Sequence, residues 1–265
     1  VVPLARSPRE RAAGPDRRDL RVGTEGWTLR YDNREGDRMA YDYRAADRLV
    51  SVSGSLPWEV RAAPLAGLVW GVLLGLGRRT LLHGACVSLS GAGVALLGAS
   101  GQGKSTLAAA LLLGGAELVS EDLLVPEATP SGWIVEPGAP SLHLLEDAYA
   151  MLGGPEQPEP TRDGKYAINL LPDRAGPVAL AAICLLDPPA AQPEARLTRL
   201  SGRRAVVRVL EHLYGEAWIR PPDESDLRLC AALVADVPVH ALSRPWDLGG
   251  VPETADLLSR SFSSR

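Results

Sequence analysis

The stretch Gly98-Ala99-Ser100-Gly101-Gln102-Gly103-Lys104-Ser105 decides how the chain is read, because it fits the phosphate-loop pattern G-x-x-x-x-G-K-[ST] at every position. Its flanks supply what such a loop requires. Val94-Ala95-Leu96-Leu97 is an apolar run suited to a buried strand, and Thr106 to Leu113 is a strong helix former closed by Gly114-Gly115. Strand, glycine loop and helix therefore follow in order. Glycines let the backbone curl so that N–H groups from Gly101 to Thr106 converge on a polyphosphate lying at the positive end of the helix. On that reading Gly98, Ser100, Gly101, Gln102, Gly103, Lys104, Ser105 and Thr106 form a nucleotide cradle. Lys104 adds a point charge on the β- and γ-phosphates, and the Ser105 hydroxyl serves as a Mg²⁺ ligand.

Composition narrows the partners. The chain has 265 residues, of which 46% are hydrophobic, enough for one large domain or one domain with a small annex. Its formal net charge is −4 and its 28 basic residues are scattered, so no nucleic-acid partner is expected. Cys86, Cys184 and Cys230 lie far apart in apolar surroundings and read as reduced core residues of a cytoplasmic protein. The first twenty residues mix Arg, Asp, Glu and Pro and lack the apolar core of a secretory signal. Leu65 to Leu76 is the most apolar stretch, yet it is about a dozen residues long where a span needs ~20, so a buried helix and no membrane is expected.

Around the loop the chain divides into three parts. Residues 1–19 are polar and aperiodic and read as a flexible leader. Residues 20–80 form a small β-rich segment with the apolar helix: Trp27–Tyr31, Arg38–Tyr43 and Leu49–Ser53 alternate like strands of an antiparallel meander. Residues 81–265 carry the phosphate loop. There Leu81–Ser90 makes a hairpin with the strand that feeds the loop, turning at Gly91-Ala92-Gly93. Ala116–Ser120 reads as a strand delivering Glu121-Asp122 at its end, where a Mg²⁺ ligand and a base are wanted.

Trp133–Glu136 is a further strand, Pro140 is expected to open a helix to Leu152, and Gly153–Lys165 reads as a flexible cover. Tyr166–Leu170 and Val178–Leu186 are strands. Gly202-Arg203-Arg204 opens a helix over Ala205–Tyr214, a second helix starts at Pro222, Val237–Leu242 is a strand, and Glu253–Leu258 is a last helix. His143, His212 and His240 read as structural, while Arg203 and Lys165 read equally well as functional or as ordinary surface cations.

A phosphate loop alone leaves the activity open. Ile183-Cys184-Leu185-Leu186-Asp187 with Leu200-Ser201-Gly202 suggests a transporter-type ATPase, but the signature then follows the aspartate strand instead of preceding it. No N-K-x-D motif occurs, so a GTPase reading fails too. The block from His83 to Asp122 does fit a known pattern: His83-Gly84-Ala85-Cys86-Val87, a Gly-Ala-Gly turn, the glycine loop, and Leu118-Val119-Ser120-Glu121-Asp122 closely resemble the catalytic domain of HPr kinase/phosphorylase and the shorter HPr-kinase-like serine kinases. The resemblance is specific over residues 81–125 and looser to about 245, where Ser201-Gly202-Arg203 stands in place of the family's Pro-Gly-Arg loop.

That resemblance implies an α/β fold: a P-loop kinase core of the HPr-kinase C-terminal-domain type behind a small N-terminal antiparallel β segment. It implies a cytoplasmic, ATP- or GTP-dependent kinase with Mg²⁺, acting on a serine of a peptide or protein, with a ribosomally made lasso-type precursor as the preferred form. By position, Ser105 and Asp122 would hold Mg²⁺, Glu121 would take the proton of the acceptor hydroxyl, His83 would steady the pair, and Arg203 would approach the nucleotide. Glu121 stands where the family usually has Asp, which moves the carboxylate out by one methylene. Full-length members form oligomers, so a homo-oligomer is an open expectation. A kinase for a small hydroxyl-bearing metabolite and a non-catalytic nucleotide switch are the competing readings.

Overall fold

A computed structural model describes residues 17–32, 38–139, 141–151, 164–169, 176–188, 194–215 and 218–263. The chain divides into two compact units between Leu73 and Leu74. It is a mixed α/β protein in which an antiparallel N-terminal sheet precedes a larger mixed sheet.

The first unit is a meander of β1 (Arg17–Val22), β2 (Gly26–Asp32), β3 (Arg38–Arg44) and β4 (Leu49–Gly54), each antiparallel to the next. Period-two alternation buries Trp27, Leu29, Met39 and Tyr41. Trp27 is paired directly with Tyr43, and their rings stack at 5.6 Å. Tyr41 donates its hydroxyl to the Arg61 carbonyl (2.9 Å), tying α1 (Trp58–Ala62) to the sheet. β1 begins at Arg17, inside the stretch read as a leader; residues 1–16 lie outside the described residues.

The apolar stretch departs from expectation. It is a short α1, a 3-10 turn over Ala63–Leu65 carrying Pro64, and α2 (Leu68–Leu76). Trp58–Leu76 spans 19 residues with a mean hydropathy of 1.4, long and apolar enough to cross a membrane by length and composition, and only 22% of it is buried. Val69 and Val72 are enclosed, whereas Trp58 and Trp70 are exposed. The expected buried helix is thus half wrong, because uniform apolarity hides which side packs.

In the second unit the main sheet runs β13-β14-β12-β6-β5-β7. Its strands are β5 (Leu82–Leu89), β6 (Ala92–Leu97), β7 (Glu117–Leu124), β12 (Val178–Leu186), β13 (Arg196–Leu200) and β14 (Val239–Ser243); β8 (Pro126–Thr129) and β9 (Gly132–Val135) extend it beside β12. β12 is parallel to both β6 and β14, and β5 is antiparallel to β6 and β7. Both faces are covered. Ala95, Leu97, Ile183 and Leu185 face one cluster with α5 (Gly202–Leu210) and α6 (Glu224–Asp236). Val94, Leu96, Cys184 and Leu186 face the other with α3 (Lys104–Leu113) and α7 (Val251–Phe262). Burial on both sides explains why these strands are continuous apolar runs. Cys86, Cys184 and Cys230 are free and buried, and burial pushes Cys86 and Cys230 up to about 12.

Three local expectations are corrected. Ser141–Leu144 is a strand, β10, paired with β11 (Tyr166–Asn169), and the helix is only α4 (Glu146–Met151); Leu142 and Leu144 enter the core at period two, which overrides the helical reading from Pro140. The helix expected to reach Tyr214 ends at Leu210, because residues 212–214 run along the start of β5: His83 N–H donates to the His212 carbonyl (2.7 Å), and Tyr214 N–H to the Leu81 carbonyl (2.8 Å). Glu121 and Asp122 do not end a strand, since β7 continues through them to Leu124. The expected cover, Gly153–Lys165, lies outside the described residues except for Gly164 and Lys165.

Candidate active site

β6 is buried along most of its length and ends at Leu97, where the glycine loop begins. Gly101 (φ +80°) and Gly103 (φ +74°) take left-handed backbone that a side chain would strain, and Gly103 caps α3. The loop closes on itself: Gln102 N–H donates to the Ala99 carbonyl (3.2 Å), and Ala99 N–H donates to Gln102 Oε1 (2.6 Å). Lys104 Nζ donates to the carbonyls of Gly98 (2.9 Å) and Ala99 (3.1 Å). Ser100 and Gly101 face solvent, and Ser105 and Thr106 are half-buried on the first turn of α3.

Lys104 is 7% exposed, and burial pushes it down to about 8, against the opposing pull of Asp122 and Glu121 and with a further push from Lys165. The expected loop lysine and the expected acidic pair are therefore electrostatic neighbours.

Alternation along β7 separates the two acids. Asp122 is exposed and has φ +62°, whereas the Glu121 side chain is 5% exposed. Glu121 Oε2 accepts from His143 N–H (2.8 Å) and lies 3.0 Å from His143 Nδ1. The Glu121 hydrogen bond raises His143 above the usual histidine value despite its burial. A histidine read as structural is thus in the site. Nothing but the β10 register brings it there, and that register was masked by the helical reading.

His83 sits on β5 with Nδ1 3.1 Å from the Asp122 carbonyl. A carbonyl only accepts, so Nδ1 carries the proton and Nε2 holds the lone pair of the neutral ring. Burial, then Lys104, lower the His83 pKa, which favours that neutral form. Gly84 follows for a steric reason: a Cβ there would lie 2.6 Å from the Leu96 carbonyl oxygen and 2.5 Å from Leu97 Cδ2. His83 also lines a cavity of about 660 Å³ with Gly98, Ala99, Gln102, Arg208, His212 and Tyr214. Burial, then Lys104, push His212 down to about 4, and its buried Nε2 has no partner among the described residues.

Arg203 is exposed on the first turn of α5 and does not line this cavity; Arg208, one turn and a half further on, does. Arg208 Nη2 pairs with Asp187 Oδ1 (3.3 Å), and Ser243 Oγ donates to Asp187 Oδ2 (2.7 Å). Lys165 is within electrostatic reach of Lys104, His83 and His143. Arg244, which no sequence motif singles out, follows β14 and donates through Nη2 to the Gln102 carbonyl.

Among the described residues no three His, Cys, Asp or Glu side chains form a metal cage. The two candidate donors are the half-buried Ser105 hydroxyl on the first turn of α3 and the solvent-facing Asp122 carboxylate, which is within electrostatic reach of the neighbouring Lys104. Hard oxygen donors of this kind suit Mg²⁺, which keeps water and phosphate oxygens as its other ligands.

No family model matches the sequence, and no curated protein matches it. The solved HPr(Ser) kinase/phosphatase from Coxiella burnetii aligns with 68% of this chain and 94% of its own, at 14% identity and a TM-score of 0.38. Likeness at that level transfers neither a site nor an activity, so the chemistry rests on the geometry above.

Proposed function

We propose that the chain is a cytoplasmic Mg-nucleotide-dependent kinase that transfers the γ-phosphoryl group of ATP or GTP to a serine hydroxyl of a peptide or protein, in its preferred form a ribosomally made precursor of the lasso type. The observation that carries this reading is the buried Lys104 ammonium, held against the Gly98 and Ala99 carbonyls within electrostatic reach of Asp122 and Glu121.

In this mechanism the acceptor oxygen attacks the γ-phosphorus, the bond from phosphorus to the β–γ bridging oxygen breaks, and the nucleoside diphosphate leaves. Glu121 receives the hydroxyl proton; His143 fixes Oε2, leaving Oε1 as the oxygen it does not engage. Ser105 and the exposed Asp122 would hold Mg²⁺, which supplies charge neutralisation at the β- and γ-phosphates. Asp122 acts on Lys104 more strongly than Glu121 does, which supports this division of roles. His83, neutral and anchored on Asp122, orients the backbone of the pair. Positioning and charge do most of the work, and the base adds ~10²–10⁴-fold.

The cavity of about 660 Å³ beside Gly98 and Ala99 favours a second reading, a small hydroxyl-bearing metabolite as acceptor. Intact-mass spectrometry of serine-bearing peptides after incubation with Mg-ATP separates the two. A phosphoryl increment that disappears with Lys104→Ala supports the peptide kinase. Saturable nucleotide binding with no peptide increment, but with a phosphorylated metabolite, supports the second reading, and binding without transfer to either leaves a nucleotide switch.

A further inference from the structure

β6, β12 and β14 are parallel, and their registers bring Leu97 beside Leu185 and Leu186 beside Leu242. The glycine loop and the segment Ser243-Arg244-Pro245-Trp246 therefore leave the same edge of the sheet, with β14 and β7 on opposite sides of β6. Ligands of parallel sheets bind at such carboxyl ends.

Arg244 reaches back to the loop. Its Nη2 donates to the Gln102 carbonyl and lies 3.1 Å from where a Cβ on Gly103 would be. The residue is 8% exposed and its Nη1 donates to the Pro245 carbonyl (3.3 Å); among the described residues its buried Nε has no partner and no carboxylate pairs with it. A cation held in this way favours an anion nearby. Trp246 lies beyond it, 48% exposed, with the guanidinium 5.4 Å from its ring centroid. One side of an indole is thus backed by a fixed cation next to the phosphate loop, and about half of its surface is open.

We infer that Arg244 and Trp246 form the nucleoside end of the site, with the base of the bound nucleotide stacked on the Trp246 ring and Arg244 backing both the ring and the loop. This rests on the nucleotide reading of the loop. A nucleobase is the flat aromatic group that arrives already attached to a polyphosphate, and stacking reads the π-face common to every base, so purine identity is not selected by this contact.

The test is equilibrium binding to the 265-residue chain of two probes, Mg-ATP and Mg-tripolyphosphate, which has the phosphates but no base. Trp246→Ala is expected to weaken Mg-ATP about 10- to 100-fold and to leave tripolyphosphate unchanged, with Trp246→Phe retaining most of the ATP affinity. Unchanged ATP binding in Trp246→Ala overturns the inference, as does an equal loss of both probes, which marks Trp246 as structural. If the wild-type chain binds tripolyphosphate but ATP no more tightly, the base has no platform and the inference falls while the phosphate loop stands. If it binds neither probe, the nucleotide reading falls and takes this inference with it.

Discussion

Glu121 and His143 are joined twice through one oxygen: Oε2 accepts the His143 backbone N–H at 2.8 Å and faces its ring Nδ1 at 3.0 Å. The carboxylate is nearly enclosed, so its direction is set by that residue rather than by solvent. His143→Ala keeps the backbone bond and removes the ring. It is expected to lower the phosphoryl-transfer rate by about 10- to 100-fold through misplacement of the carboxylate, with Mg-ATP affinity unchanged. Glu121→Gln is expected to slow transfer in the same way. Single-turnover kinetics beside equilibrium nucleotide binding checks both.

Lys104 carries a pH signature. Burial lowers it from the ordinary 10.5 to about 8. Between those values the unfolded chain holds a proton that the folded chain has released, so stability rises with pH across that window, by at most about 3 kcal/mol. Lys104→Met is expected to flatten this slope and to abolish nucleotide binding. Urea unfolding midpoints of both proteins at about pH 7 and about pH 10 provide the measurement.

Gly84 is expected to tolerate no side chain. Gly84→Ala places a methyl group 2.6 Å from the Leu96 carbonyl oxygen in the strand that feeds the loop, an overpacking that costs about 1–3 kcal/mol. Gly176→Ala, whose Cβ meets nothing within 4 Å, is expected to stay within about 0.5 kcal/mol of wild type. Thermal unfolding of the two variants gives the contrast.

Asp226 accepts both Arg220 Nη1 (2.6 Å) and Nη2 (2.8 Å), the Thr80 hydroxyl (2.8 Å) and the Asp223 N–H (3.0 Å) while 1% exposed. Burial raises its pKa, but Arg220 and the other donors outweigh burial and leave it below the ordinary carboxylate value. Its contribution is therefore present above about pH 4, where an unfolded Asp ionises, and is lost as pH falls through the lower folded value. Asp226→Ala is expected to cost about 3–5 kcal/mol near neutrality, because it strands the Arg220 guanidinium. Denaturant unfolding as a function of pH tests both the size and the sign.

The parts legible in the sequence are those whose signal is local. Ala92–Leu113 announces itself through apolar run, glycines and helix formers; Val178–Leu186 does so through unbroken apolarity, and the N-terminal meander through alternation. That Lys104 neighbours Glu121 and Asp122 was legible for the same reason, since all three belong to one contiguous block. His143 was not, because the Pro140 signal suggests a helix, and only pairing with β11 turns residues 141–144 into a strand. β13 escaped because Arg196-Leu197-Thr198-Arg199-Leu200 is a short run at a sheet edge with no period-two alternation of apolar and polar residues. Arg244 and His212 matter through contacts across more than a hundred residues of chain, for which no spacing rule exists.

The loop's own bonds have a thermodynamic consequence. Lys104 already spends its charge on two carbonyls, and the Ala99 N–H is already taken by Gln102 Oε1. On the nucleotide reading, a phosphate entering here would displace protein partners instead of meeting idle ones, so association would be an exchange reaction whose enthalpy is the small difference between two sets of similar bonds. Affinity would then depend on what the loop's internal partners relinquish as much as on what the ligand offers, with the Gln102 side chain, which holds the Ala99 N–H, as the turnstile.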